Sequence, residues 1–235
     1  IWASDNTDAV YRVNGMIGYS YGYPMSVMGA HVSSCPNHQT LRTTPLETRF
    51  AVAAFGVLGY ECNLCDMKKE DLEEIRKQIA LYKEWRNVLQ YGTFYRGRNA
   101  KIHEWTCVSE DKRQAVGMIM QELTQPNHPT GQYFPKGLDA PKRYEFTNRS
   151  MRYSILGFGD LVNTVSPVHI KQDSLVHQVL AKCVTMPGEI ESYRASGSVL
   201  MAGVKLAQGF AATGYSEETR YFPDFASRMY FMQQI

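Results

Sequence analysis

Two carboxylates three residues apart stand near the start of the chain: Asp5 and Asp8 in Ile1-Trp2-Ala3-Ser4-Asp5-Asn6-Thr7-Asp8. A carboxyl group placed at the mouth of a fold can give or take a proton at a reacting oxygen. The four residues before Asp5 are apolar or small and read as a short buried strand. Val10, Val13, Ile17 and Tyr21 follow at helical spacing. In a (β/α) barrel such a strand-to-helix junction lies at the C-terminal face, where catalytic side chains project. The same spacing also fits helix capping, with Asp5 as N-cap and Asp8 at N3, both complementing the helix dipole. On spacing alone, capping is the stronger reading.

Other reactive side chains carry less. His31 and His38 lie near the ends of a Ser-, Thr-, Asn- and Pro-rich stretch, and a structural, hydrogen-bonded role is the commoner one for such histidines. Cys35 with His38 could form a Cys–His nucleophile pair, but no third orienting group is evident and Pro36 follows the cysteine. Cys62-Asn63-Leu64-Cys65 is a lone CxxC without a second pair. Two ordinary thiols at the end of a strand are expected there, and no metal site or cofactor. Asn148-Arg149-Ser150 is a glycosylation sequon of a kind that arises by chance.

The elements that must position these groups follow from pattern. With 235 residues, 44% of them hydrophobic and 20% charged, the chain is a globular protein of ordinary composition. A net charge of +2 gives no case for nucleic-acid or membrane-surface binding. The longest apolar runs are too short to span a bilayer. Five cysteines, odd in number and irregularly spaced, favour reduced thiols and a cytoplasmic location. The chain opens on strand residues with no lead-in, so it is expected to be the C-terminal piece of a longer protein.

The pattern predicts a helix from Asp8 to about Gly22, a buried strand over Met25–Val32 and a long loop over Ser33–Thr44. Pro45 at N1 with Thr44 as cap then opens a helix to about Phe55. A strand over Val57–Leu64 follows. Next comes a long amphipathic helix over Met67–Gln90, with Asp66 as N-cap and Leu72, Ile75, Ile79, Tyr82, Trp85 and Leu89 on one stripe. Alternating strands and helices over residues 1–91 are the signature of parallel α/β architecture, here three βα units. From Tyr91 the hydrophobic period changes. Thr93–Arg96, Lys101–Val108, Gln114–Leu123 and Arg143–Thr147 read as strands, as do Val199–Lys205 and Arg228–Met232. Gln125–Pro141 reads as loop with at most one short strand. Residues 92–235 are therefore expected to form an antiparallel β-sandwich.

Several stretches resemble glycoside hydrolase family 36, the microbial α-galactosidases. Trp2, Ser4, Asp5 and Asp8 match that family's Trp-x-Ser-Asp-x-x-Asp acid/base motif. Met28-Gly29-Ala30-His31-Val32-Ser33, Pro36-Asn37-His38-Gln39-Thr40 and Pro45-Leu46-Glu47-Thr48-Arg49 resemble the segments that follow it. Phe55-Gly56-x-x-Gly59-Tyr60-Glu61 and Ile79-Ala80-Leu81-Tyr82-Lys83 also fit, as do Lys136-Gly137-Leu138-Asp139 and Pro223-Asp224-Phe225-x-Ser227. Leu41 departs from the pattern, standing where the family commonly has Gly. The stretch from about Ser154 to Gly197 is longer than in shorter members.

The resemblance implies the C-terminal part of a (β/α)8 barrel over residues 1–91, followed by an antiparallel β-sandwich over 92–235. It implies a retaining α-galactosidase acting on oligosaccharides such as melibiose and raffinose. Asp8 would be the general acid/base, and Asp5 the alternative acid if it is not the cap. Trp2 would be either an apolar platform for a sugar face or a core residue. The family's nucleophile, an Asp in a Lys-Trp-Asp-x-Asn motif, and its Cys-x-Gly-Gly segment do not occur in this sequence. Retention requires two carboxyl groups about 5–5.5 Å apart. A carboxylate at a helix N-terminus is held ionised, whereas a proton donor must be protonated, and a neighbouring nucleophile would reconcile the two. Two alternatives stay open: a related transglycosylase using the same carboxylates, and a non-catalytic carbohydrate-binding protein. The full-length enzyme is expected to be a homo-oligomer.

Overall fold

The computed structural model describes residues 1–235 apart from 100, 125–130, 165, 208–209, 212–213 and 216–221. The first part is α/β. Helix α1 covers Ala9–Tyr19, strand β1 Gly29–Ser33, α2 Leu46–Ala53, β2 Val57–Glu61 and α3 Lys69–Tyr91. Strands β1 and β2 pair in parallel, with Gly29 opposite Val57 and Ser33 opposite Glu61. The connection runs through α2, the helix-bearing crossover that parallel strands need.

The remainder is mainly antiparallel β-structure. Strands β3 (Thr93–Asn99), β4 (Ile102–Val108) and β5 (Gln114–Gln121) form a meander, and β6 (Gln132–Tyr133) and β7 (Arg143–Asn148) follow. Then come β8 (Arg152–Ser154), α4 (Leu175–Cys183), β9 (Thr185–Pro187), β10 (Ser192–Ser196) and α5 (Gly197–Met201). The chain finishes with β11 (Val204–Lys205), β12 (Phe210–Ala211), β13 (Gly214–Tyr215) and β14 (Ser227–Gln234). Six strands make one sheet in the order β10-β7-β14-β5-β4-β3, so the last strand inserts into its middle. The pairs β6–β11, β8–β9 and β12–β13 are separate two-stranded pieces.

Alternation along these strands gives the sheet two different faces. Trp105, Cys107, Val116, Met118, Met120, Met229 and Phe231 face the α/β part and join one core with Phe55, Trp85, Val88 and Leu89. Phe94 and Phe55 each meet Trp105 edge-on, with ring centroids 5.3 Å apart. The other face carries Ala115, Ile119, Tyr144, Phe146, Tyr230 and Met232, packed on Tyr133, Leu200 and Leu206. Tyr133 reaches the sheet because β5 has Gly117 opposite it, where a Cβ would stand 2.1 Å from the phenol oxygen. That phenol donates to the Trp105 carbonyl at 2.9 Å and pairs with the Thr106 hydroxyl at 2.7 Å.

A partly buried ion network ties the two parts together. Arg149, just after β7, bonds Glu47 of α2 and Glu74 of α3, with its guanidinium 5.2 Å from the centre of the Phe50 ring. Gln78 extends the network, donating to Glu74 at 3.2 Å and accepting from the Tyr60 hydroxyl at 2.9 Å.

Several local expectations are corrected. Residues 1–4 form no strand, and Ile1 and Trp2 are exposed. Yet Ile1 donates to the Val27 carbonyl and accepts from Gly29 N–H at 3.0 Å, the pair of bonds a parallel bridge makes. One bridged residue is too little for a strand. The stretch 25–32 begins with a 3₁₀ turn at Met25–Val27, so β1 starts later than expected. One parallel strand pair is present among the described residues, rather than three complete βα units.

Helix α1 ends at Tyr19, well before Pro24. Pro45 has extended backbone (ψ 142°) and sits at the cap position itself rather than inside α2. Asp66 does not cap α3. It ends a 3₁₀ turn and accepts from Asn63, and Lys68 occupies the cap position. On the α3 stripe, Leu72 is exposed and Gln78 is buried in its stead. Val199–Lys205 holds α5 and the two-residue β11, not one strand. The Gln125–Pro141 expectation lies partly outside the described residues, at 125–130; beyond them β6 is its short strand.

Candidate functional site

Asp8 is the N-cap of α1, and its Oδ1 accepts from Val10 N–H at 2.8 Å. The sequence places Asp5 in that role. The helix starts later because Asn6 first makes a turn, its side-chain oxygen accepting from Asp8 N–H at 3.1 Å. Asp5 is taken by the Trp2 indole, which donates to its Oδ1 at 2.7 Å on the exposed surface.

The segment bearing Asp8 is held from α1 and β1. Arg12, buried on α1, donates to the Ser4 carbonyl at 2.7 Å, and the Tyr19 hydroxyl donates to the Ala3 carbonyl at 2.9 Å. Ser33, at the C-terminal end of β1, donates to the Thr7 carbonyl at 3.3 Å. Asp8 therefore sits beside the end of a parallel strand, and its side chain is 1% exposed.

The loop between β1 and α2 supplies its remaining partners. Arg42 Nη1 lies 2.5 Å from Asp8 Oδ2, which also accepts from the Thr40 hydroxyl. Asn37 builds the loop, its Oδ1 accepting from Gln39 and Thr40 N–H, both at 3.0 Å. Its amide donates to the Thr7 hydroxyl at 3.4 Å. Leu41 adopts φ +55°, the left-handed conformation that favours glycine. All the recorded partners of the Asp8 carboxylate are donors, one of them a cation.

Trp2 is 58% exposed, so the core alternative is set aside. Its ring lies 4.5 Å from the His31 imidazole, centre to centre. His31 projects from β1 toward Glu61 at the end of β2, Nδ1 to Oε2 3.5 Å. Burial, more than Glu61 offsets, pushes the His31 pKa below its usual value, with Arg12 adding to the shift. Beside His31 on β2 stands Gly59, where a Cβ would fall 2.7 Å from the imidazole edge. Trp2, His31 and Glu61 thus line one patch at this end of the strand pair.

The Cys35–His38 pair does not assemble. Cys35 donates to the Thr44 carbonyl at 3.6 Å, His38 is exposed, and no bond between the two is recorded. All five cysteines are free, and burial raises the Cys62 thiol pKa. Among the described residues no group of three or more His, Cys, Asp or Glu is placed to hold a metal ion. No helix among them is long and apolar enough to cross a membrane.

Sequence reasoning missed Arg42, Thr40 and Arg12. Arg42 follows the Pro36–Thr40 motif almost directly, and a buried Asp needs a cation or several donors. That requirement was the available signal.

Comparison with known proteins bears on this arrangement. Residues 1–92 match the family model Melibiase, and residues 102–232 match the glycosyl hydrolase family 36 C-terminal domain. The chain belongs to glycoside hydrolase family 36. It is 41% identical over 150 residues to alpha-galactosidase AgaA of Geobacillus stearothermophilus, covering 61% of this chain and 20% of that protein. It is 45% identical over 132 residues to alpha-galactosidase 1 of Pediococcus pentosaceus, covering 54% of this chain and 18% of that protein. The crystal structure of the alpha-galactosidase from Lactobacillus brevis superposes with a TM-score of 0.71 at 32% identity, over 99% of this chain and 26% of that one. Structures of AgaA variants hold raffinose and stachyose.

This family 36 chain spans about a fifth of the length of the curated relatives it matches. Its fold class is theirs, the later part of a (β/α)8 barrel followed by an antiparallel β-sandwich.

Proposed function

We propose that this chain carries the acid/base half of a retaining α-galactosidase, with Asp8 as proton donor and then base. The observation that supports it most is the position of Asp8. It is a buried carboxylate at the C-terminal end of a parallel strand pair, held by donors from the next strand-to-helix loop. In the first step Asp8 gives its proton to the departing glycosidic oxygen while a second carboxylate attacks the anomeric carbon. In the second step Asp8 takes a proton from water, which attacks the same carbon and releases galactose.

The second carboxylate is the Asp of a Lys-Trp-Asp-x-Asn motif, which does not occur within these 235 residues. We assign it to a part of the protein outside them. Its negative charge, close to Asp8, favours the protonated donor that the first step needs. Trp2 is the platform for a sugar face, and Asp5, which is not the cap and stands exposed beside the Trp2 indole, is the alternative acid. Residues 1–91 are the barrel portion, and 92–235 the sandwich domain. The substrates are galactose-ended oligosaccharides of the raffinose type. The full-length enzyme is homo-oligomeric, and its free thiols suit the cytoplasm.

Proton NMR of the first-formed galactose from raffinose tests this reading of the full-length enzyme. The α-anomer is expected first, and β-galactose would refute retention. The 235-residue chain by itself is expected to hydrolyse no aryl α-galactoside. Turnover that disappears with Asp8→Ala would place a nucleophile within these residues instead.

A further inference from the structure

A cleft of about 460 Å³ lies between the C-terminal end of α3 and the β4–β5 hairpin. Small-ligand sites span about 300–1,000 Å³. This cleft is remote from Asp8. Asp8 sits beside the C-terminal end of β1, whereas α3 ends near the start of β2. There the Tyr82 hydroxyl donates to the Gly56 carbonyl at 3.1 Å and accepts from Leu58 N–H at 3.3 Å and from the Gln90 amide at 2.6 Å. The two places lie at opposite ends of the parallel strand pair.

The walls of the cleft are chemically mixed. Tyr91 stands 73% exposed at the end of α3 and offers a ring. Asn87, one turn earlier, and Gln114, at the start of β5, bring an amide each, and Glu110 and Asp111 bring carboxylates from the hairpin. Among the described residues none hydrogen-bonds the side chains of Asn87, Tyr91, Glu110 or Gln114, so these groups are open to a ligand. Asp111 is fixed in advance. Its Oδ1 accepts from Arg113 N–H at 3.0 Å and from the Ser109 hydroxyl at 2.7 Å, and these bonds hold the carboxyl below its usual range. The Ser109 hydroxyl in turn accepts from Gln114 N–H at 3.0 Å, closing the hairpin. Gly92 lines the cleft with bare backbone, since a Cβ there would fall 2.5 Å from the Val88 carbonyl oxygen and 2.6 Å from that of Val108.

Charge narrows the choice of ligand. Two carboxylates line the cleft beside the negative end of the α3 dipole, α3 has no basic residue in its last turn, and no lysine or arginine is among the lining residues. An anionic ligand is repelled. A sugar hydroxyl is donor and acceptor at once, so the carboxylates accept from it and the amide N–H groups donate to it. A simple amine would make no use of those amide donors. The C–H face of a pyranose ring stacks on an exposed aromatic face such as that of Tyr91.

We propose that this cleft is a second, non-catalytic sugar site, which holds a terminal galactosyl unit by the Tyr91 ring, the two amides and the Asp111 carboxylate. The choice of galactose rests on the α-galactosidase reading, and the choice of a neutral pyranose on the cleft itself. Two sugar sites at opposite ends of the barrel portion let the enzyme stay on a substrate bearing several galactosyl units while the catalytic face acts on another.

The test is hydrogen exchange of the full-length enzyme, read by mass spectrometry during a galactose titration into the millimolar range. Saturable protection is expected in segments 87–92 and 109–114, with sorbitol at the same concentration correcting for the general exclusion of polyols from protein surfaces. Tyr91→Ala should weaken the galactose dependence of both segments about tenfold, and Tyr91→Phe, which keeps the ring, should leave it within about twofold. No saturable protection there beyond that given by sorbitol, or protection that Tyr91→Ala leaves unchanged, overturns the proposal. Segments 1–8 and 37–42 report the catalytic face in the same experiment. Protection of these without protection of 87–92 and 109–114 sinks the second site alone. Protection of 87–92 and 109–114 without any at 1–8 and 37–42 counts against the galactosidase reading and leaves the second site standing.

Discussion

Glu104 gives the sharpest test of the sandwich's energetics. It lies on β4 facing the second core, opposite Gly97 on one side and Ile119 on the other. The residue is 5% exposed, and its Oε1 has no hydrogen-bond partner. Burial pushes its carboxyl up to about 7, and the charge of Lys136 recovers only part of the cost. The raised value fixes the sign. Between the ordinary 4.5 and about 7, the unfolded chain has released the proton and the folded chain still holds it. Stability therefore falls by about 1.4 kcal/mol per pH unit over that window and levels off above it. The full contribution is present below 4.5 and is lost as pH rises through about 7, a total of about 3 kcal/mol.

Glu104→Gln removes this titration while keeping the shape. Urea unfolding of the wild type and the variant, followed by tryptophan emission, should show a difference that grows with pH. The variant should gain about 3 kcal/mol on the wild type between about pH 4.5 and pH 8. Any pH-independent cost of burying the amide shifts the whole curve without changing its slope. A difference that stays flat across this range would refute the argument, and would mean that Lys136 or water solvates the carboxylate fully.

Arg149→Met leaves Glu47 and Glu74 without their partly buried cation, and should cost about 1.5–3 kcal/mol in urea unfolding; a loss below about 1 kcal/mol would mean the network is solvated. Asp5→Asn should change stability by less than about 0.5 kcal/mol, because Asp5 holds only an exposed indole and is not the helix cap. Thr48→Val removes the donor to the Phe225 carbonyl and should cost about 1–3 kcal/mol, with a loss of loop protection in hydrogen exchange as the accompanying sign.

Much of the fold was legible because its signals are local. Helix α3 runs 23 residues with a clear apolar stripe, and β5 and β7 are bounded by turn residues. Gln78 escaped because its burial depends on Tyr60 and Glu74, which no periodicity reports. Strands β4 and β5 are covered on both faces, so their alternation does not separate inside from outside. The insertion of β14 between β5 and β7 joins segments far apart in the chain and leaves no local mark. At the candidate site, the motif singles out Asp8 but carries no sign of the side chains that hold it. Which aspartate caps α1 was not legible, since an Asn6 turn and the Trp2 indole decide it. Arg42 meets Asp8 across 34 residues, and Thr48 meets Phe225 across 177, so both depend on the folded chain.

In the proposed reaction Asp8 donates the proton to the leaving oxygen. The most direct measurement of this step is the glycosylation rate of the full-length Asp8→Asn enzyme on raffinose and on 2,4-dinitrophenyl α-galactoside, read by single turnover. Removal of a general acid costs about 10²–10⁴-fold where protonation is required. A loss of that order with raffinose and a far smaller one with the aryl galactoside is the expected result. Equal losses in the glycosylation of both substrates would contradict the claim.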